Sequence, residues 1–410
     1  MRTCGLIGSL NLLRYIPSDR GHSGEIGRSL TFNQLDMEKS FANGAEIMND
    51  TEKLIRHVWS RIDHTTLPTS FPRISFHDAM KFYGTDKPDM RFSIRNVKID
   101  HMLPAAFVSK ISPLKDPIVE AAILKTSENP ANTKKLVRAA LSEFLDSPVA
   151  ASFHDNAHGG PAVMFYDSSR PLCGLSALEF EAVQEIESLL SPRDGDVLVF
   201  QARPRASVLE NSTPLGNLRA ALQEFALKRD LIIPEKRWAP LWVVDFPLFT
   251  PTTSSSPGQG GAAGLSSTHH PFTSPKTAAD VDYLRKDPTK VIADHYDLVI
   301  NGAELGGGSR RIHDPNLQSY ILKDVLKMSN EKLAHFAHLI EVLESGCPPH
   351  AGIALGMDRL VAMLLGRDSI RDVIAFPKTG KGEDPLMKSP GVLDEETLER
   401  YHLQLRNNGE

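Results

Sequence analysis

Apolar positions along the chain change period several times, and each change marks an element. Between residues 41 and 62, Met48, Ile55, Val58, Trp59 and Ile62 recur at three- to four-residue and seven-residue spacing, which predicts an amphipathic helix. Residues 30–41 alternate instead and predict a strand. A polar, proline-bounded loop follows at 66–72, and Gly84 with Asp86-Lys87-Pro88 predicts a turn over 83–88. Val137, Leu141, Phe144 and Leu145 predict one helix and Leu178, Val183, Ile186 and Leu190 another, while DVLVFQ (196–201) predicts a short buried strand. The continuous apolar run WAPLWVVDFPLF (238–249) suits a central strand buried on both faces. The Ser/Gly-rich stretch 251–268 behind it predicts a mobile surface loop. YDLVINGAEL (296–305) predicts a hairpin with a type I′ turn at Asn301-Gly302. Leu333, Phe336, Ile340 and Leu343 define a helix closed by Gly346, and 352–355 a strand running through Gly356 into a helix that starts near Asp358 and ends at Gly366.

With 410 residues the chain divides most naturally into 1–95, a mixed α+β block at 96–230 with its own small core, and 231–410. Hydrophobic residues at 41% and charged residues at 24% fit a folded globular protein. The net charge of −5 provides no overall basic field, so any contact with nucleic acid has to be local. Cys4, Cys173 and Cys347 lie far apart, which excludes a disulfide framework or zinc cluster and suits a reducing compartment. No run approaches the roughly 18 apolar residues of a membrane span. Residues 1–17 carry Arg2 and Arg14 and no acid, a composition shared by organellar transit segments and by ordinary apolar first elements.

The hairpin carries the first chemistry. A two-residue turn pairs Ile300 with Ala303, Val299 with Glu304 and Asp297 with Gly306, which puts Asp297 and Glu304 on one face as diagonal neighbours. Two such carboxylates call for a cation, and Mg²⁺, which takes one or two carboxylates beside water or phosphate oxygens, points to nucleotide chemistry; the alternative is a pair of solvated acids. Gly306-Gly307-Gly308-Ser309 follows, a weak strand sequence whose usual reason is close approach of a ligand or another backbone. Arg310 and Arg311 behind it suit bidentate capture of a carboxylate or phosphate, and parity leaves open which one faces inward because the glycines can hold a bulge. His269 and His270 sit in THHPFT, with no third ligand at zinc spacing. Arg359, just after Asp358 at a strand-to-helix junction, can lie flat on a base.

Six stretches, FNQLDMEKSF (32–41), YGTDKPDMRF (83–92), WAPLWVVDFPLF, HHPFTSPK, YDLVINGAELGGGSRRIHDPNLQ and PPHAGIALGMDRLVAMLLGRDSIRDVIAFPKT (348–379), together resemble the class II aspartyl-tRNA synthetases of the bacterial and mitochondrial type. The resemblance implies an α+β fold, an antiparallel sheet flanked by helices, with 96–230 as an inserted smaller α+β domain. It also implies ATP, L-aspartate, Mg²⁺ and tRNA(Asp) as substrates and partners, a homodimeric family, and aspartate–tRNA ligase activity in mitochondrial translation. By similarity, Asp297 and Glu304 hold Mg²⁺ and the ATP phosphates. Arg311 grips the side-chain carboxylate of aspartate, and His269 with His270 closes over the amino acid. Arg359 stacks on adenine opposite Phe32, next to Gly356, Met357 and Asp358, while Gln34, Asp36 and Glu38 lie beside the adenylate. The inserted block and the Ser/Gly loop before His269 favour the mitochondrial matrix, or the cytoplasm for a bacterial source.

Against the family pattern, the anticodon β-barrel, the first class II motif with its dimer-forming helix and the Gln-Ser-Pro-Gln loop have no counterpart, which reads as N-terminal truncation. The α-phosphate arginine falls at Arg20, within SDRGHSGEIGR, where the flanking phenylalanine is absent and His22 replaces a glutamate. Two further readings therefore accompany the ligase: a noncatalytic paralogue binding tRNA or a protein partner, and an enzyme amidating aspartate to asparagine, against which the inserted block argues.

Overall fold

The computed structural model describes residues 8–15, 32–154, 156–205, 212–252, 261–379, 382–389 and 391–404, with 8–15 and 32 described by backbone alone. Arg20 and most of the 1–17 segment lie outside the described residues.

Among the described residues, seven strands form the central sheet in the order Gly8–Tyr15, Phe32–Ser40, His350–Gly356, Ala303–Arg310, His295–Ile300, Pro240–Val244 and Arg73–Ser75. Neighbours are antiparallel except the last pair, Arg73–Ser75 with Pro240–Val244. This is the α+β architecture that the sequence predicts. Helix Gly44–Ile62 covers one face of the sheet. Asn43 caps it reciprocally, accepting from the Glu46 N–H while the Glu46 carboxylate accepts from the Asn43 N–H. The predicted start at residue 41 is too early: Phe41 has a φ of 56° and is 74% exposed, so it closes the strand rather than opening the helix. Ile47, Ile55 and Trp59 bury against Trp242, Tyr296, Leu298 and Ile353. Each fully buried side chain of this size contributes about 1.5–3 kcal/mol. Leu35, Met37, Leu298, Ile300 and Ile353 all point into this cluster. The alternating positions Gln34, Asp36, Glu38, Asp297 and Gly352 are therefore left for the opposite, polar face.

The run 238–249 is not one strand. Pro240–Val244 ends at Asp245, whose φ of 62° turns the chain, and Pro247 cannot donate to a ladder. Phe246 consequently packs beneath the polar face against the Phe76 ring at 5.0 Å. Phe249–Pro251 then pairs with Leu265–Ser267 in a separate two-stranded sheet, so the predicted surface loop is tied at its base; 253–260 lie outside the described residues. The predicted 333–343 helix is two, Asn330–His335 and Ala337–Glu344, broken at Phe336. Its apolar period persists because Leu333, Phe336 and Ile340 share one cluster.

A second sheet carries Val97–Lys98, Ile118–Leu124, Val197–Arg203 and Ala162–Phe165 in that order. Helices Lys134–Leu145, Phe180–Leu190 and Pro214–Leu227 pack with it around a core that runs from Phe92 to Ile232. No helix among the described residues is long and apolar enough to cross a membrane.

Candidate active site

Asn301 and Gly302 both have positive φ, 52° and 80°, which is the predicted type I′ turn between His295–Ile300 and Ala303–Arg310. Ile300 faces Ala303 and Val299 faces Glu304, as expected, but the register then slips: Leu298 faces Gly306 and Asp297 faces Gly307, not Gly306. One extra residue, Leu305, makes a bulge, and its side chain joins the core beneath the sheet. Glu304, Gly307, Ser309 and Arg311 consequently share the polar face. A Cβ on Gly307 would lie 2.5 Å from Asp297 Oδ1 and 3.6 Å from Glu304 Oε1, so both carboxylates sit over this glycine. Gly306 and Gly308 face the other way; a Cβ on either would strike a carbonyl of the neighbouring strand, and on Gly308 also the Tyr296 ring at 2.7 Å. Only one of the three glycines thus forms the floor of the site.

Burial, reinforced by the charge of Glu304, raises Asp297 above the ordinary carboxylate range. For Glu304 burial also favours the neutral form, but the Lys87 amine and the Arg359 guanidinium outweigh it and hold the group low. Lys87 Nζ lies 3.3 Å from Glu304 Oε2. Asp86, beside it, is pushed up to about 6 by burial, with Asp297 and Glu304 adding to the shift. From sequence, Asp86 and Lys87 read as part of a turn; the signal for more is two charged residues inside the YGTDKPDMRF stretch.

His295 was also missed, although it stands two residues before Asp297 on the same strand face. Its Nε2 is 2.8 Å from Asp297 Oδ1, and its ring stacks on His269 at 3.6 Å with the edge of Phe246 beside both. Burial lowers His269 to about 4 and His295 to about 3, so both imidazoles are neutral at pH 7. The ligand atoms of His269, His295 and Asp297 lie within 4.8 Å of one another, a grouping that sequence spacing concealed. His270 is the more exposed of the two and stacks on Phe272 at 4.9 Å, still close enough to feel the Arg311 charge.

Arg311 faces inward. It donates to Ser309 Oγ at 2.7 Å and reaches the Glu38 carboxylate at 3.3 and 3.4 Å, whereas Arg310 is held outside by Asp294 at 2.6 Å and the Pro275 carbonyl at 2.7 Å. Asp36 lies nearby, raised mainly by burial. Gln34 pairs with Gly356, which caps helix Met357–Leu364. Arg359 donates to the Glu304 carbonyl across the hairpin end. Asp358 does not open onto the polar face: its buried carboxylate accepts from the Asn33 N–H at 2.6 Å and Nδ2 at 3.0 Å, joining helix to strand. Met357 lies with Leu35 and Val58 along an apolar groove on the helix side. The Phe32 side chain and Arg20 lie outside the described residues.

The carboxylate pair over a glycine floor, Asp297 buried and Glu304 half-buried, fits a hard, oxygen-seeking cation, and Arg311 on the same face fits an anionic group beside it. Residues 20–380 match the family described as tRNA synthetases class II (D, K and N). The chain is 38% identical over 382 residues to a mitochondrial aspartate–tRNA ligase of Schizosaccharomyces pombe (strain 972 / ATCC 24843), covering 92% of this chain and 59% of that protein. An aspartate–tRNA(Asp/Asn) ligase of Opitutus terrae (strain DSM 11246 / JCM 15787 / PB90-1) is 35% identical over 389 residues, 92% and 60% of the two chains. A mitochondrial aspartate–tRNA ligase of Saccharomyces cerevisiae (strain ATCC 204508 / S288c) is 34% identical over 424 residues, 93% and 61%. The chain spans about three fifths of the length of these relatives. On the extent of the family match, this chain belongs to the class II tRNA synthetases (D, K and N).

Proposed function

We propose that the chain is an aspartate–tRNA ligase acting in the mitochondrial matrix, or in the cytoplasm if its source is bacterial. The observation that carries the reading is the shared face: Asp297 and Glu304 sit over Gly307, and Arg311 reaches Ser309 and Glu38 on the same side of the sheet, so one face offers both a fork for a carboxylate and a seat for a cation with triphosphate. In the first step an oxygen of the aspartate α-carboxylate bonds to the α-phosphorus of ATP, and the bond to the β-phosphate oxygen breaks to release pyrophosphate. In the second, the 3′-hydroxyl of the terminal adenosine of tRNA(Asp) takes the aspartyl group, loses its proton and releases AMP. Positioning and charge neutralisation carry such chemistry.

Arg311 holds the substrate's side-chain carboxylate, exchanging its long contacts to Glu38 for a bidentate pair. Asparagine would leave the guanidinium facing a neutral amide, which is the basis of discrimination. His269 and His270 close over the amino acid, with Gln34 and Asp36 along its edge. Arg359 and Phe32 flank adenine near Gly356, and Arg20 serves the α-phosphate. Asp297 and Glu304 hold Mg²⁺, which when bound neutralises phosphate charge. Asp358 supports this arrangement through its bonds to Asn33, next to Gly356 and Met357 at the adenine end.

ATP–pyrophosphate exchange tests the reading. Exchange dependent on aspartate, and about 10²-fold weaker or more with asparagine, is expected; no exchange at high enzyme and substrate rejects it in favour of a noncatalytic paralogue. Matrix import of a tagged chain checks the compartment.

A further inference from the structure

We infer that the 96–230 block is a positioning element for Lys87, acting through the start of helix Pro214–Leu227. The activity readout rests on the ligase reading; the geometry does not. Helix Phe76–Tyr83 ends at Gly84, whose φ of 67° redirects the chain, and Thr85, Asp86 and Lys87 then enter the polar face. Residues of the 96–230 block fix that redirected segment. The Thr213 N–H donates to the Gly84 carbonyl at 2.8 Å, and Thr85 pairs with Ser212. Thr213 Oγ1 accepts from the Gly216 N–H at 3.0 Å, which sets the first helical turn directly against Gly84. The approach needs glycine: a Cβ on Gly216 would collide with the Gly84 carbonyl. One turn on, Arg219 lies over the Tyr83 ring at 5.3 Å and donates to the Ile94 carbonyl at 3.1 Å, while the Asn96 N–H donates to the Phe82 carbonyl at 2.6 Å.

Lys87 stands three residues beyond this clamp, a reach of about 10 Å at most. Its amine meets Glu304 at 3.3 Å, within a group of three carboxylates that includes Asp86 and Asp297. A displacement at Gly84 therefore passes directly to the cation that balances the carboxylate assigned to Mg²⁺ and the ATP phosphates. Lys87 is placed by backbone contacts between Gly84-Thr85 and Ser212-Thr213 at the start of helix Pro214–Leu227.

Gly216→Ala tests this in the full chain. Two measurements are expected to move: Lys87 reacts several-fold faster with trinitrobenzenesulfonate, read by peptide mass spectrometry, and the KM for ATP in pyrophosphate exchange rises about tenfold or more, with the KM for aspartate much less affected. Lys87→Ala should give a similar KM change, and adding Gly216→Ala to it should change nothing further. Unaltered Lys87 reactivity, or a full additional loss in the Lys87→Ala background, overturns the inference. If Gly216→Ala fails to unfold cooperatively, Thr213→Val, which removes the cap and keeps the glycine, provides the same comparison. Absence of exchange in the unmodified chain refutes the ligase reading alone, and the labelling comparison still decides the clamp.

Discussion

The Nε2 of His295 lies 2.8 Å from Oδ1 of Asp297, and the same imidazole stacks on His269 at 3.6 Å. The carboxylate assigned to a cation is thereby tied to the histidine assigned to the amino acid. His295→Ala should lower unfolding stability by about 1–3 kcal/mol, because a buried carboxylate loses its partner. His295→Asn, which keeps a donor, should recover part of the loss. Urea unfolding curves check both, and an alanine variant as stable as the parent rejects the tie.

Both imidazoles are held neutral by burial, with His269 lowered to about 4 and His295 to about 3. The unfolded chain protonates its histidines near the ordinary value of about 6.5. This pair's contribution to stability is therefore intact above that pH, declines as pH falls below it and is lost by about pH 4 to 3. Imidazole resonances followed by NMR should show no titration of either residue between pH 8 and 5; a midpoint near the ordinary value contradicts the buried, stacked arrangement.

Gly307 and Gly308 are adjacent and should behave differently. A methyl at 307 meets the end of the Asp297 side chain, which can shift, so Gly307→Ala should unfold like the parent yet lose about 10²-fold in exchange rate. A methyl at 308 meets the Gly352 carbonyl and the buried Tyr296 ring, so Gly308→Ala should cost about 1–3 kcal/mol of stability. Thermal unfolding alongside exchange separates the two; equal losses in both variants would show that both glycines serve packing.

Arg311→Lys preserves charge and removes the planar fork. The expected result is a fall of about 10²-fold in kcat/KM for aspartate, with little change in the KM for ATP. A matched fall for both substrates would mean that Arg311 organises the whole face rather than one carboxylate.

The hairpin was legible because Asn301-Gly302 admits few turns and the apolar alternation fixes strand direction. Helix Gly44–Ile62 was legible from its 3.6-residue period. The break at Asp245 was not, since an uninterrupted apolar run looks alike whether its side chains cover one core or two. His295 and Lys87 gain significance only through partners brought in by the fold, His269 and Asp297 for one and Glu304 for the other. The bonds from Asn33 to Asp358 join residues 325 positions apart, a partnership that the local motif around Asp358 cannot reveal. The choice between Arg310 and Arg311 depended on a register that three identical residues cannot reveal.

The extra residue at Leu305 decides which guanidinium the cleft receives. Removing one member of the 305–308 run would rephase everything downstream by half a pleat, turning Arg311 toward the buried layer and offering Arg310 in its place. The recognition proposed for Arg311 therefore hangs on a chain-length parity as much as on side-chain identity, and a single-codon deletion there would unmake it without altering one charged residue.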